Sequence, residues 1–268
     1  MPMPEKTNWT RQQLLLAFKL YCLIPFGKLH SANPEIIKYG ELIGRTPSAL
    51  AMKLSNIASL DPAITSTGRK GLTGASSADK AMWEEMQSSW ELFVTEIEKA
   101  EISFGITEDI NAEVDDYLPN ETIDYTGSNK TIQSTTRVGQ SFFRRSVLSA
   151  YNFRCCISGL AIPRLLVASH IIPWSIDEKN RLNPMNGLCL SVLHDKAFDL
   201  GIITISDNMT ISVSHSITPN EDHFFDSTIL AYDGKPVFLP EKFHPNMDFL
   251  SYHRQHVFES KVKHSSSR

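Results

Sequence analysis

The sequence predicts an α+β protein in two parts: a helical N-terminal module over residues 1–105 and a mixed half over residues 137–268. Three observations lead there. Through the first hundred positions, apolar residues recur with helical period behind capping residues. After Arg137, short strand-like runs bounded by Pro, Gly and Asn take over. Between the two, residues 106–136 are acidic and lack sustained period, which is the composition of a linker.

In "TRQQLLLAFKLYCLI", Thr10 and Gln13 stand at capping-box spacing, and Leu14, Leu15, Phe18 and Cys22 follow with helical period. "NPEIIKYGELIG" begins with Asn33 as N-cap and Pro34 at the first helical position, and Gly44 stops it. "TPSALAMKLSNIASL" repeats the device with Thr46 and Pro47. Leu50, Leu54, Ile57 and Ala58 form its inner face, leaving Ser48, Met52, Lys53, Ser55 and Asn56 to face outward. Two short helices joined by "GRT" have the form of a helix-turn-helix, so Ser48, Lys53 and Asn56 are candidate DNA contacts. A Gly/Ser/Thr-rich loop with Arg69 and Lys70 follows. "ADKAMWEEMQSSWELFVTEIEKA" reads as one long helix whose Trp83, Met86, Trp90, Phe93, Val94 and Ile97 form a core stripe.

In the second half, "GQSFFRRSVLSAYNF" reads as a helix, "RCCISG" as a strand and turn, and "RLLVASHII" as a strand. "NPMNGLCLSVLHDKAFDLG" reads as loop, strand, short helix and glycine stop. "IITISDNMTISVS" alternates around Asp207–Asn208, a hairpin signal, and the tail ends in a last helix.

Hydrophobic residues make up 41% of the chain and charged residues 21%, which implies a packed core and excludes global disorder. No apolar run approaches the ~20 residues of a membrane span. The N-terminus has no basic-then-apolar signal pattern, and none of Cys22, Cys155, Cys156 and Cys189 makes a C-x-x-C pair, so reduced thiols and a cytoplasmic location are expected. Net charge is −4, yet residues 137–200 carry eight Arg and Lys against four Asp and Glu. A local basic surface can meet a phosphate backbone even in an acidic protein. Arg144 and Arg145 follow two phenylalanines on a helix. One of Phe142 and Phe143 would anchor it while the arginines reach phosphates, although solvated surface or an ion pair explains them equally well.

Three polar residues stand among the core-like strands: His170 at the end of "VASHIIPW", Asn186 in "NPMNGLCL" and His194 opening "HDKAFDLGIITI". With "FFRRSVLSAYNFRCCISG" ahead of them, these segments resemble the HNH endonuclease family, specifically restriction-endonuclease-like HNH proteins of bacteria. The resemblance covers residues 137–258 well. "IGRTPSALAMKLSN" is a less diagnostic match to the helical region that often precedes such domains.

The resemblance implies a ββα-metal nuclease domain over 137–268 and metal-dependent hydrolysis of DNA phosphodiester bonds, in bacterial restriction or anti-phage defence. It makes His170 the general base, a role that suits an imidazole at neutral pH. His194 would project toward the metal, and Asn186 would tie the connecting loop so that the base stays oriented. Many members place an acidic metal ligand just before the first histidine. Here that position is Ser169, a poor ligand for a hard cation, so a carboxylate ligand is expected from Asp195 or Asp199. Magnesium, with manganese as substitute, suits such a site, and the cysteine spacing predicts no structural zinc. One site cuts one strand, so a homodimer is the simplest arrangement for cutting both. A DNA-binding regulatory protein with an inactive HNH core remains open because of Ser169, as does an RNA-directed nuclease or toxin.

Overall fold

The computed structural model describes residues 8–68, 74–106, 130–216 and 222–258, and divides into two units, Met1–Ile110 and Asn111–Arg268. The Arg69–Lys70 pair and most of the acidic 106–136 stretch lie outside the described residues, and a helix spans Lys130–Ala150.

The first unit contains α1 (Arg11–Leu23), α2 (Pro34–Leu42), α3 (Pro47–Ala58), α4 (Pro62–Thr65), α5 (Ser77–Ser88) and α6 (Trp90–Ser103). Their starts follow local chemistry. The Thr10–Gln13 capping box forms, Asn33 accepts from Glu35 N, and Thr46 accepts from Ala49 N. Helix α1 is central and packs against α3, α5 and α6. Met86, Trp90, Phe93, Val94 and Ile97 are buried as expected of a core stripe.

The expected long helix over 78–100 is broken in two. Ser89 is extended (φ −158°, ψ 99°), and its hydroxyl accepts from Leu92 N to start α6. A serine side chain competes with the helical backbone for its own hydrogen bonds, so the Ser88–Ser89 pair ends one helix and caps the next.

A second correction concerns Lys53, which was expected on the outer face of α3. It is buried, and its Nζ donates to both Asp79 oxygens at 2.8 and 2.9 Å. Asp79 also accepts from Ser76 N in the capping box of α5, so one buried carboxylate joins two helices. Ser48 is exposed, while Ser55 and Asn56 are half-buried.

The second unit contains α7 (Lys130–Ala150), β1 (Leu166–His170), β2 (Gly187–Ser191), α8 (Val192–Asp199), β3 (Ile203–Ile205), β4 (Ile211–Val213), α9 (His223–Thr228) and α10 (Met247–His253). Strands β1 and β2 pair antiparallel, with Val167 opposite Leu190 and His170 opposite Gly187. Helices α7 and α8 both pack on this ribbon, and β3 and β4 form the expected hairpin. "RCCISG" is a turn and not a strand: Gly159 N donates to Cys155 O at 2.9 Å, Ser158 N approaches Cys155 Sγ, and Gly159 takes the left-handed conformation at φ 73° that closes it.

Candidate active site

His170 is the last residue of β1, where backbone pairing fixes the direction of its side chain. Its ring stacks on Phe143 of α7, with centroids 3.9 Å apart and planes within 11°, and meets the edge of Trp174 at 5.5 Å. Phe143 reaches the imidazole because its neighbour on the ribbon is a glycine. A Cβ on Gly187 would lie 2.3 Å from Val147 Cγ2 and 2.9 Å from Phe143 Cζ.

His170 Nε2 lies 3.0 Å from the Arg181 carbonyl oxygen. A carbonyl only accepts, so Nε2 carries the hydrogen and the lone pair of the neutral ring falls on Nδ1. Burial pushes the imidazole below its ordinary pKa, against the opposing pull of the Arg181 hydrogen bond. Burial therefore favours the neutral ring, the Arg181 carbonyl selects one tautomer, and Nδ1 has no hydrogen-bond partner among the described residues.

The loop from 171 to 186 is closed by Asn186. Its Oδ1 accepts from Ile172 N at 2.9 Å, and its Nδ2 donates to Ile172 O and Asn180 O. Its backbone O accepts from Ile171 N. The side chain is buried and committed to backbone, as a loop-tying role requires.

Ser169 points away from His170, since successive strand residues face opposite sides. Its hydroxyl is sealed from solvent without a hydrogen bond of normal geometry, yet lies close enough to Asp195 on α8 to pull that carboxyl's pKa down. Burial outweighs this pull and that of Lys196, leaving the Asp195 carboxyl above its ordinary value. Asp199 lies one helical turn further on and is exposed.

His194, for which the family resemblance implies projection toward a metal, has its ring nitrogens against protein atoms. It is buried, with Nε2 2.9 Å from Thr228 O. Its Nδ1 is 2.9 Å from Ser191 Oγ and 3.5 Å from Cys155 Sγ. Both ring nitrogens are engaged by protein atoms, and the ring braces the start of α8 against Tyr232, 5.4 Å away. Burial lowers its pKa, but hydrogen bonds to Cys155 and Thr228 win and raise it. Burial likewise opposes ionisation of Cys155, and contacts with His194 and Ser158 overcome it, bringing the thiol down to about 6.

Arg144 and Arg145 do not reach outward as expected. Both are buried, and Arg144 Nη1 donates to Leu166 O at 2.9 Å, tying α7 to the start of β1. Phe142 and Phe143 are both buried in the same layer. Ser48, Lys53 and Asn56 belong to the other unit. Sequence reasoning missed Phe143 as the platform for His170, as well as Trp174, Arg181, Cys155 and Thr228. Only Ser191 carried a local signal, as a serine three residues before His194 at N-cap spacing.

Among the described residues, no three His, Cys, Asp or Glu side chains cluster closely enough to hold a metal ion by themselves. No helix among them is long and apolar enough to cross a membrane. Residues 155–206 match the family model described as HNH endonuclease, a span that runs from Cys155 through both ribbon strands and α8 into the β3–β4 turn. No curated protein matches the chain. The second unit thus carries an HNH endonuclease domain, which supports a nuclease.

Proposed function

We propose, from the HNH endonuclease domain at residues 155–206, that the chain is a metal-dependent DNA endonuclease with His170 as general base. The observation that carries this reading is the state of His170. Stacking on Phe143 and the hydrogen bond to Arg181 O hold a neutral imidazole with its basic Nδ1 uncommitted among the described residues. Nδ1 would take a proton from water as the water oxygen attacks phosphorus, while Asn186 holds the loop that fixes the ring.

A hard divalent cation, Mg²⁺ or Mn²⁺, fits beside Ser169 and Asp195. A half-buried carboxyl destabilised as an anion and, beside it, a sealed hydroxyl without a hydrogen bond of normal geometry are both groups that a cation would satisfy. Magnesium binds through one or two carboxylates together with water and substrate phosphate, so it does not need three clustered protein ligands. Asp195 would hold it, with Ser169 adjacent and Asp199 one turn away as a further carboxylate. When bound, it would supply charge stabilisation on the phosphate and the departing alkoxide. His194 would position α8 and would not itself ligate. Asp195→Asn is expected to raise the Mg²⁺ concentration for half-maximal cleavage by about tenfold or more, in the range seen for metal-site changes. An unchanged Mg²⁺ titration would remove Asp195 from the site.

Burial of His170 also sets a pH dependence. The base works only when neutral, and a pKa below the ordinary value of about 6.5 keeps it neutral to lower pH. The acid limb of the cleavage profile should therefore fall below pH ~6.5. Phe143→Ala opens the ring to water and should move that limb up toward ~6.5, while costing about 3–5 kcal/mol of stability through the cavity it leaves. A limb that stays in place would separate Phe143 from the base.

The helical unit would select the DNA through the exposed face around Ser48 and Met52 on α3, with Asn56 at its margin. Two copies of the chain would be needed to cut both strands, and restriction or antiviral defence is the setting in which such an enzyme acts. One observation favours a second reading. Ser169 stands where a carboxylate is usual, so a DNA-binding regulatory protein with an inactive core is the alternative. Parallel DNA and RNA substrates, each with and without Mg²⁺, discriminate these readings: cleavage of RNA alone replaces the DNA assignment, and binding without cleavage replaces the enzyme assignment.

A further inference from the structure

We propose that Arg181 is a phosphate-binding residue of this site, its guanidinium gripping a backbone phosphate next to the bond that His170 addresses. The proposal rests on the nuclease reading and extends it to a residue outside the His–Asn–His set.

Arg181 is built into the His170 environment twice. Its main-chain carbonyl accepts from His170 Nε2, and its side chain folds back over the same loop. There Arg181 Nε donates to Trp174 O at 2.8 Å, and Cζ sits 5.3 Å from the Trp174 ring centroid. Trp174 is the ring whose neighbour on another side is His170 itself, at 5.5 Å. One indole therefore supports both the base and a cation. A guanidinium pinned through Nε and an aromatic contact has already lost most of its rotamer freedom, so little more is lost when it binds an anion.

Its outward side is weakly held. Nη2 donates to Glu178 at 3.0 Å, an i,i+3 pair whose glutamate side chain is 79% exposed. Such a pair contributes little in water. Nη1 has no hydrogen-bond partner among the described residues. A phosphate diester could displace Glu178 and take two N–H donors in the fork geometry that arginine offers. The nearby arginines of α7 are not equivalent, because Arg144 and Arg145 are buried in the packing layer. Backbone phosphates hold a nuclease in register on its substrate, and a cation on the loop that carries the base is placed to do so.

The test uses the full chain in two arms. In the first, DNA affinity is measured over a salt series in the cleavage-deficient His170→Ala background, with a short duplex as probe. Adding Arg181→Ala should weaken binding by about tenfold and flatten the slope of log affinity against log salt by about 1, the value of one phosphate contact. Arg181→Lys should keep the slope and restore only part of the affinity. Glu178→Gln removes the competing carboxylate and should tighten binding. In the second arm, Arg181→Ala in the His170-intact protein should raise KM for DNA more than it lowers kcat, because the carbonyl that orients the base remains. A purely structural staple between Arg181 and Trp174 would leave the salt slope untouched. An unchanged slope in Arg181→Ala, or unchanged affinity in Glu178→Gln should the alanine variant not fold, overturns the proposal. The two readings fail separately. Metal-dependent cleavage without an Arg181 effect removes only the phosphate grip. A flattened slope in a protein that never cleaves keeps the grip and removes the nuclease assignment.

Discussion

His170→Ala is expected to reduce phosphodiester cleavage by about 10²–10⁴-fold, the usual contribution of a positioned general base. DNA affinity should stay within a few-fold of the parent, since most of that binding free energy comes from phosphate contacts made elsewhere. The loss should not come from unfolding. The imidazole is half-buried at a strand end, and what the substitution removes is a stacking contact with Phe143, an edge contact with Trp174 and one hydrogen bond to Arg181 O. A single-turnover assay on a nicked-product gel, with thermal melting run in parallel, reads both quantities. Cleavage within a few-fold of the parent would remove His170 from the base role.

Lys53→Met is expected to cost about 3–5 kcal/mol of stability, the penalty for leaving a buried charge without its partner. Asp79 is fully buried and would lose two hydrogen bonds from Lys53 Nζ. The double change Lys53→Met with Asp79→Leu should recover most of the loss, less the capping bond that Asp79 accepts from Ser76 N. Denaturant melts of the three variants measure this. The result also bears on DNA reading by α3. A buried lysine cannot meet a phosphate, so the folded Lys53→Met protein should bind DNA as the parent does. Unchanged stability together with a strong loss of affinity would return Lys53 to the DNA-facing surface.

What could be read in the sequence was local. Thr10, Asn33, Thr46 and Ser191 act within three residues of where they stand, and each cap forms as residue type and spacing require. The ribbon, the short helix after it and the β3–β4 hairpin are likewise set by runs of a few residues. The tying role expected of Asn186 depends on partners only a short loop away. What could not be read depends on distant partners. Lys53 looks solvent-facing on a helical wheel until Asp79, from another helix, closes over it. Arg144 looks like a phosphate contact until Leu166 O accepts from it. His194 carries a family expectation of metal ligation, but its ring is taken up by Ser191, Cys155 and, from far along the chain, Thr228. The break at Ser89 was legible only in the capping chemistry of two adjacent serines, since the apolar stripe keeps helical period straight across them. Phe143 shows the same limit from another side. Its burial followed from its sequence, while its role as the platform for His170 depends on Gly187 opposite.

The most direct test of the nuclease assignment is nicking of a supercoiled plasmid by the purified full chain, in Mg²⁺ and in excess chelator, with His170→Ala alongside. Conversion to open circles in Mg²⁺, none in chelator and almost none with His170→Ala is the expected result. A protein that binds the plasmid yet leaves it supercoiled in both Mg²⁺ and Mn²⁺, or one that nicks it equally well without His170, would contradict a metal-dependent endonuclease built on that histidine.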